Sequence, residues 1–145
     1  MEVWRRPRRK QVGFPVSETD PQEAPDEGLT GWIGNKKASS REERFARSLR
    51  QADIPFQFRV LVYTPYQIPG QNYEIDFVVH YGLPEPIEID DEWIHRTQDQ
   101  QEQDNIRDGL IDDQTKYWGW QKIKRIKVDM EWTQTMFDEL VETLF

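Results

Sequence analysis

The chain has 145 residues, of which 36% are hydrophobic, and its 27 acidic and 19 basic residues give a formal net charge of −8 at pH 7. The absence of cysteine excludes disulfides, thiolate metal sites and thiol nucleophiles, and the acidic charge argues against a simple nucleic-acid-binding protein. The length suits one domain, no apolar run approaches the roughly 20 residues of a membrane span, and the N-terminus lacks a signal peptide's apolar stretch. We therefore expect a soluble, intracellular, cytoplasmic protein without a membrane partner.

The first 37 residues differ in composition from the rest. They hold four prolines and four glycines without helical or strand periodicity, so we expect an extended arm over 1–37 and a folded domain over 38–145. Five of the first ten residues are basic, which suits phosphates, an acidic protein partner or simply a solvated tail. The negative charge belongs to the domain, where residues 38–145 carry 21 acidic and 12 basic side chains.

The first predicted element of the domain is a helix over about residues 40–51. Its capping signal fits two registers, Ser39 with Glu42 or Ser40 with Glu43, because each pair has the spacing of a capping box. Either register places the helix start directly after the arm.

Three strands are predicted next. Residues 56–64 and 73–81 alternate between apolar and polar side chains, which is typical of half-buried strands. The turn "GLPEP" then leads directly into "IEID", so the second and third strands should form a hairpin.

The remaining elements are a helix, a strand and a second helix. The helix covers about 98–117 and ends near Gly119, the strand covers 122–128, and the closing helix lies within 133–145. The full order is α-β-β-β-α-β-α. This order predicts an α/β fold with a mixed four-stranded sheet flanked by helices.

Carboxylates concentrate on the predicted hairpin. Because successive strand residues face opposite ways, Glu88 and Asp90 share one face, and Asp76 on the partner strand can share it with Glu88. Like charges this close require a cation or a proton between them. Hard oxygen ligands suit Mg²⁺ or Mn²⁺, although a charged solvent face of an edge strand would also explain Glu88 and Asp90.

These segments carry a resemblance. A helix with Glu, "IDFVV" on one strand and "IEID" on the next resemble the PD-(D/E)XK, or restriction-endonuclease-like, superfamily, whose core has an αβββαβ succession. "EIDDEWIH" resembles the E-x-D-G-x-x-H segment of the branch that contains very-short-patch repair endonucleases, in which an acid replaces the usual active-site lysine. "DNIRDGL" at 104–110 resembles a helix of the same branch. The resemblance spans about residues 38–145 and departs at Asp91, where the branch has glycine.

The resemblance implies a role for each candidate residue. Asp76 and Glu88 would be metal ligands, and Asp90 would take the lysine position and support the ion. His95 would transfer protons, and Glu43 would be an outer ligand on the first helix. From the residues alone, Glu43 fits a capping box equally well, and a packed or surface role is an ordinary one for His95.

Basic residues near these segments are candidates for DNA binding. They lie on the first helix and around the fourth strand, where they could follow a DNA backbone or form a solvated, ion-paired surface: Arg41, Arg44, Lys122 and Lys124.

Two hypotheses follow. The first is a divalent-metal-dependent DNA endonuclease that hydrolyses phosphodiester bonds in nicking, repair or restriction. The second is a catalytically inactive nuclease-like protein with a structural or assembly role, for example in a phage particle or a nucleoprotein complex. Convergence of the carboxylates within one metal's reach would favour the enzyme.

Overall fold

The computed structural model describes residues 28–63, 73–91 and 98–145. For Asp91 it describes the backbone only. The helices and strands of this part of the chain are β1 (Trp32–Ile33), β2 (Lys36–Lys37), α1 (Ser40–Gln51), β3 (Phe56–Val62), β4 (Tyr73–Val79), β5 (Glu85–Asp91), α2 (Gln98–Thr115), β6 (Lys124–Val128) and α3 (Gln134–Leu144). From α1 onward, the predicted order is confirmed.

Strands β3 to β6 form a four-stranded mixed sheet in chain order. The neighbours β3 and β4, and β4 and β5, are antiparallel, whereas β5 and β6 are parallel. A parallel neighbour requires a crossover, which α2 provides between β5 and β6. The α/β class, the mixed sheet and the β4-β5 hairpin are therefore confirmed.

The capping box of α1 uses the first of the two predicted registers. The Ser39 hydroxyl accepts a hydrogen bond from the Glu42 N–H, and the Glu42 carboxylate accepts one from the Ser39 N–H. These two contacts satisfy N–H groups that the start of a helix leaves without partners. The Glu43 carboxylate is thereby left for a different contact.

The sheet has a separate hydrophobic core on each face. On one face, α1 and α3 pack against the strands, with Phe77 at the centre, its ring centroid 4.9 Å from that of Phe45 and 5.1 Å from that of Phe58. On the other face, Ile111 of α2 packs with Val62, Ile75 and Val78. We call these the α1/α3 core and the α2 core.

Strands β3 and β4 change faces in mid-strand. Phe58 and Phe77 are cross-strand partners in the α1/α3 core, whereas the next partners, Val60 and Ile75, belong to the α2 core. Residues two apart on a regular strand share a face, so the chain must twist between them. Arg59 provides the twist with a left-handed φ of 53°, and its register places Asp76 opposite it.

Residues 28–37 differ from the extended arm expected over 1–37. Strands β1 and β2 form an antiparallel hairpin, and the side chains of Leu29 and Ile33 are buried, with Ile33 in the α1/α3 core. The folded part of the chain therefore begins before residue 38. Residues 1–27 lie outside the described ranges.

Helix α2 ends close to the predicted position. It is followed by a 3-10 turn over Lys116–Trp118 and by Gly119, whose φ of 78° is the left-handed conformation that glycine adopts at helix ends. Within 28–63, 73–91 and 98–145, no helix has the length and apolar character needed to cross a membrane.

Candidate carboxylate site

Two of the predicted acidic residues meet across the β4-β5 hairpin. Phe77 pairs with Ile87, and one further step of this register brings Asp76 opposite Glu88. The two carboxyl groups lie close enough to interact, and Asp76 Oδ2 accepts a hydrogen bond of 2.9 Å from the Ile89 N–H. We call Asp76 and Glu88 the carboxyl pair.

The environment of the carboxyl pair favours a bound proton. Burial is the largest cause that raises the pKa of Glu88 to about 8, followed by the charge and hydrogen bond of Asp76, while Arg107 acts in the opposite direction. Glu88 is only 7% exposed. Near neutral pH, a proton therefore offsets part of the repulsion, and a cation bound there would have to displace it.

Arg107 of α2 contacts the carboxyl pair from the α2 face. Its Nη2 lies 2.9 Å from Glu88 Oε1 and also donates a hydrogen bond to the Glu74 carbonyl. Its guanidinium carbon lies 5.7 Å from the centre of the Tyr73 ring. Arg107 was not among the residues predicted from the sequence, although the "DNIRDGL" segment that contains it was a signal.

Asp90 lies next to the carboxyl pair on β5 but belongs to a different cluster. Arg125 Nη1 is 3.0 and 3.1 Å from the two Asp90 oxygens, and its Nε and Nη2 donate to Asp108 at 2.7 and 2.8 Å. The hydrogen bonds of Asp108 are the largest cause that raises the pKa of Arg125 further above its usual range. We call Asp90, Asp108 and Arg125 the arginine clamp, because they join β5, β6 and α2.

Glu43 fastens the segment before β1 to helix α1. Its carboxylate accepts hydrogen bonds from the Thr30 N–H at 2.9 Å, the Gly31 N–H at 2.7 Å and the Thr30 hydroxyl at 3.0 Å. The side chain is buried, with 3% of the residue exposed. These donors satisfy the buried charge locally, on a helix that packs against the opposite face of the sheet from α2.

The larger metal-ligand set expected from the sequence is not assembled in this arrangement. Among the residues that the structure describes, no three histidine, aspartate or glutamate side chains form a group that could hold a metal ion. Asp90 contacts Arg125 and Glu43 contacts Thr30 and Gly31, and the expected roles of both acids at the metal stay predictions. His95 lies outside the described ranges.

The four predicted DNA-binding residues occupy different environments. Arg44 is 1% exposed, so its expected contact with a DNA backbone is wrong. Lys124 Nζ lies 2.8 Å from Glu85 Oε1, Lys122 is exposed and Arg41 is half-buried. Basic residues that recur every third position wind around a helix and cannot all lie on one solvent face. This spacing explains why Arg44 is buried.

No protein-family model matches the chain, and no curated protein is similar to it. The crystal structure of AF1548, a protein of unknown function, is similar with a TM-score of 0.43 and 15% sequence identity. That similarity covers 70% of this chain and 53% of AF1548, so the chain spans about half the length of that protein. Similarity at this level assigns neither a fold family nor an activity.

Proposed function

We propose that the protein is a divalent-metal-dependent DNA endonuclease of the restriction-endonuclease-like type, with Asp76 and Glu88 as the ligands of Mg²⁺ or Mn²⁺. The observation that carries the proposal is the contact between these carboxyl groups across neighbouring strands, because it concentrates charge that a cation would stabilise. The order α-β-β-β-α-β-α, with the carboxyl pair on β4 and β5, is the arrangement that the sequence resemblance implies.

The carboxyl pair has the chemistry that such an ion requires. Carboxylate oxygens are preferred ligands of Mg²⁺ and Mn²⁺, and a bound ion there would activate water and stabilise charge on the scissile phosphate. The hydrogen bond from the Ile89 N–H fixes the orientation of Asp76, which reduces the cost of ordering this ligand. Glu88 releases its proton when it becomes a ligand, so metal affinity should increase with pH.

Hydrolysis at this site balances simply. The oxygen of a water molecule forms a bond to phosphorus as the bond to the leaving oxygen breaks. The proton of the attacking water passes to solvent, and the leaving oxygen takes up another.

The test is cleavage of supercoiled plasmid and of mismatched or branched duplexes with Mg²⁺ or Mn²⁺. The variants Asp76→Asn and Glu88→Gln keep the side-chain shapes and should lose at least about 100-fold in rate, since each removes a charge from the reacting centre. Glu85→Gln is the matched control, because Glu85 is equally buried on the same strand but pairs with Lys124. Mn²⁺ titration by calorimetry should show binding to the wild type and to Glu85→Gln alone.

The second candidate is a nuclease-like protein without catalysis that serves in an assembly. One observation favours it: two of the expected acidic residues, Asp90 and Glu43, are engaged in contacts that stabilise the fold. Folded wild-type protein that binds no Mn²⁺ and leaves every duplex intact would support this candidate and refute the endonuclease.

A further inference from the structure

We propose that Arg107 is a catalytic residue of this site. When the carboxyl pair takes up its metal, the guanidinium exchanges its contact with Glu88 for a contact with the scissile phosphate. The role of Arg107 rests on the proposed endonuclease function and adds a phosphate-binding residue to the carboxyl pair. The site has a deficit of positive charge. Cleavage of a phosphodiester places additional negative charge on the phosphoryl oxygens, and both members of the carboxyl pair are acidic.

Among the described residues, Arg107 and Arg125 lie on the α2 side of the sheet and could supply that charge, but their contacts differ. Arg125 uses Nε, Nη1 and Nη2 on the carboxylates of Asp90 and Asp108, at 2.7 to 3.1 Å. Recruiting Arg125 would break its ion pairs with Asp90 and Asp108, which is costly. Arg125 is therefore committed to the arginine clamp.

Arg107 makes fewer close contacts with carboxylates than Arg125 does. Within the described ranges, its one close carboxylate contact is from Nη2 to Glu88, because the distance from its Nη1 to Asp108 Oδ1 is 3.4 Å. Its side chain is 24% exposed, whereas that of Glu88 is 9% exposed. A phosphate oxygen that approaches from solvent can therefore reach the guanidinium more readily than the carboxylate.

Arg107 also has anchors that do not depend on Glu88. The Glu74 carbonyl accepts a hydrogen bond from Nη2, and the Tyr73 ring lies beside the guanidinium. When Glu88 becomes a metal ligand, these contacts from β4 keep the guanidinium in place. The donor capacity released by Glu88 then suits a phosphate, which guanidinium groups bind with directed hydrogen bonds.

Arg107 and the metal compete for the Glu88 carboxylate, and this competition has a measurable consequence. In the resting site, Arg107 partly neutralises Glu88 and so competes with the metal for the same carboxylate. Removal of the guanidinium should therefore weaken catalysis without weakening metal binding. A residue that only stabilised the fold would not separate these two measurements.

The experiment compares Arg107→Gln, Arg107→Lys and Arg107→Ala with the wild type in single-turnover cleavage and in Mn²⁺ titration. Arg107→Gln should lose about 100-fold or more in cleavage rate at saturating metal, while its Mn²⁺ affinity stays equal or increases. Arg107→Lys should recover part of the rate, and guanidinium chloride at non-denaturing concentration should rescue Arg107→Ala. Arg50→Gln is the matched control for loss of an exposed arginine. It should cleave normally because Arg50 lies on α1, where its guanidinium packs over the Phe56 ring and not beside the carboxyl pair.

Each outcome decides the question. Cleavage by Arg107→Gln at the wild-type rate, or joint loss of cleavage and Mn²⁺ binding in this variant, would overturn the role of Arg107 while the endonuclease stands. A folded wild type that neither binds Mn²⁺ nor cleaves would refute the proposed function and, with it, the role of Arg107. Loss of rate with retained Mn²⁺ binding and guanidinium rescue would establish it.

Discussion

Two acid–arginine clusters lie side by side on the α2 face of the sheet, and they differ in how well their charges are matched. In the arginine clamp, one guanidinium uses three nitrogens on two carboxylates. In the carboxyl pair, two carboxyl groups face each other and Arg107 offers one nitrogen to one of them. The backbones are direct neighbours, because Glu88 and Arg125 are partners in the β5-β6 ladder. The same residue types therefore give a cluster with matched charges or one with an excess of acidic groups, according to the donor geometry.

The largest effect should come from breaking the arginine clamp. Arg125→Met keeps much of the side-chain volume but removes the guanidinium that pairs with Asp90 and Asp108, which should lower the free energy of unfolding by about 3 kcal/mol. Urea denaturation measures this difference. Lys127→Met is the control on the same strand, and as an exposed residue it should change stability by less than about 0.5 kcal/mol. Equal stability of both variants would show that the clamp is not structural.

The next effect concerns the pH dependence that the carboxyl pair imposes. The pKa of Glu88 is raised from 4.5 to about 8 on folding, so the folded state holds a proton that the unfolded state has released between these values. Stability from this group is complete below about pH 4.5 and is lost as pH rises towards 8. Denaturation from pH 5 to 8 should show a loss of about 3 kcal/mol in the wild type.

Glu88→Gln isolates this contribution, because the amide cannot ionise. Its unfolding free energy should vary less over the same pH range, and the variant should be more stable than the wild type at pH 8. An identical pH profile for the two proteins would show that Glu88 is ionised in the folded state and that the charges of the carboxyl pair are matched.

Glu43 provides a third carboxylate with matched donors, and Arg47 Nη2 lies 3.4 Å from its Oε2. Glu43→Gln should lower the free energy of unfolding by about 1–2 kcal/mol, because it weakens hydrogen bonds from Thr30 and Gly31 to a charged acceptor. The rate of DNA cleavage should remain at the wild-type level when the variant is folded. A large loss of rate with normal stability would instead place Glu43 at the metal site, as the sequence first indicated.

The smallest effect is expected for the ion pair between Lys124 and Glu85, which lies outside both clusters. The lysine side chain is 43% exposed, so the pair is partly screened by solvent. Lys124→Met should lower the unfolding free energy by no more than about 1 kcal/mol, measured by the same denaturation. A larger loss would mean that Glu85 depends on this single cation.

The order of the elements could be predicted because its signals are local. The predicted helix over 40–51 corresponds to Ser40–Gln51, and the alternating segment at 73–81 corresponds to Tyr73–Val79. The meeting of Asp76 and Glu88 followed from the short turn between their strands, which determines the register of the hairpin.

The partners of the acidic residues could not be predicted in the same way. Helix α2 is polar on most sides, so its sequence gives little indication of which face meets the sheet. The contact of Arg107 with Glu88 and that of Asp108 with Arg125 depend on how α2 lies across the strands. The left-handed conformation of Arg59 was equally hidden, since arginine carries no preference for positive φ.

The twist at Arg59 also has a consequence for local unfolding. Phe58 and Phe77 lie on one side of the twist in the α1/α3 core, while Val60 and Ile75 lie on the other in the α2 core. If α2 lifts from the sheet, it uncovers Val60 and Ile75 beyond the twist and Val78 before it, whereas Phe58 and Phe77 stay covered by α1 and α3. Cooperative opening units follow shared packing, so the two halves of one ribbon belong to different units of hydrogen exchange.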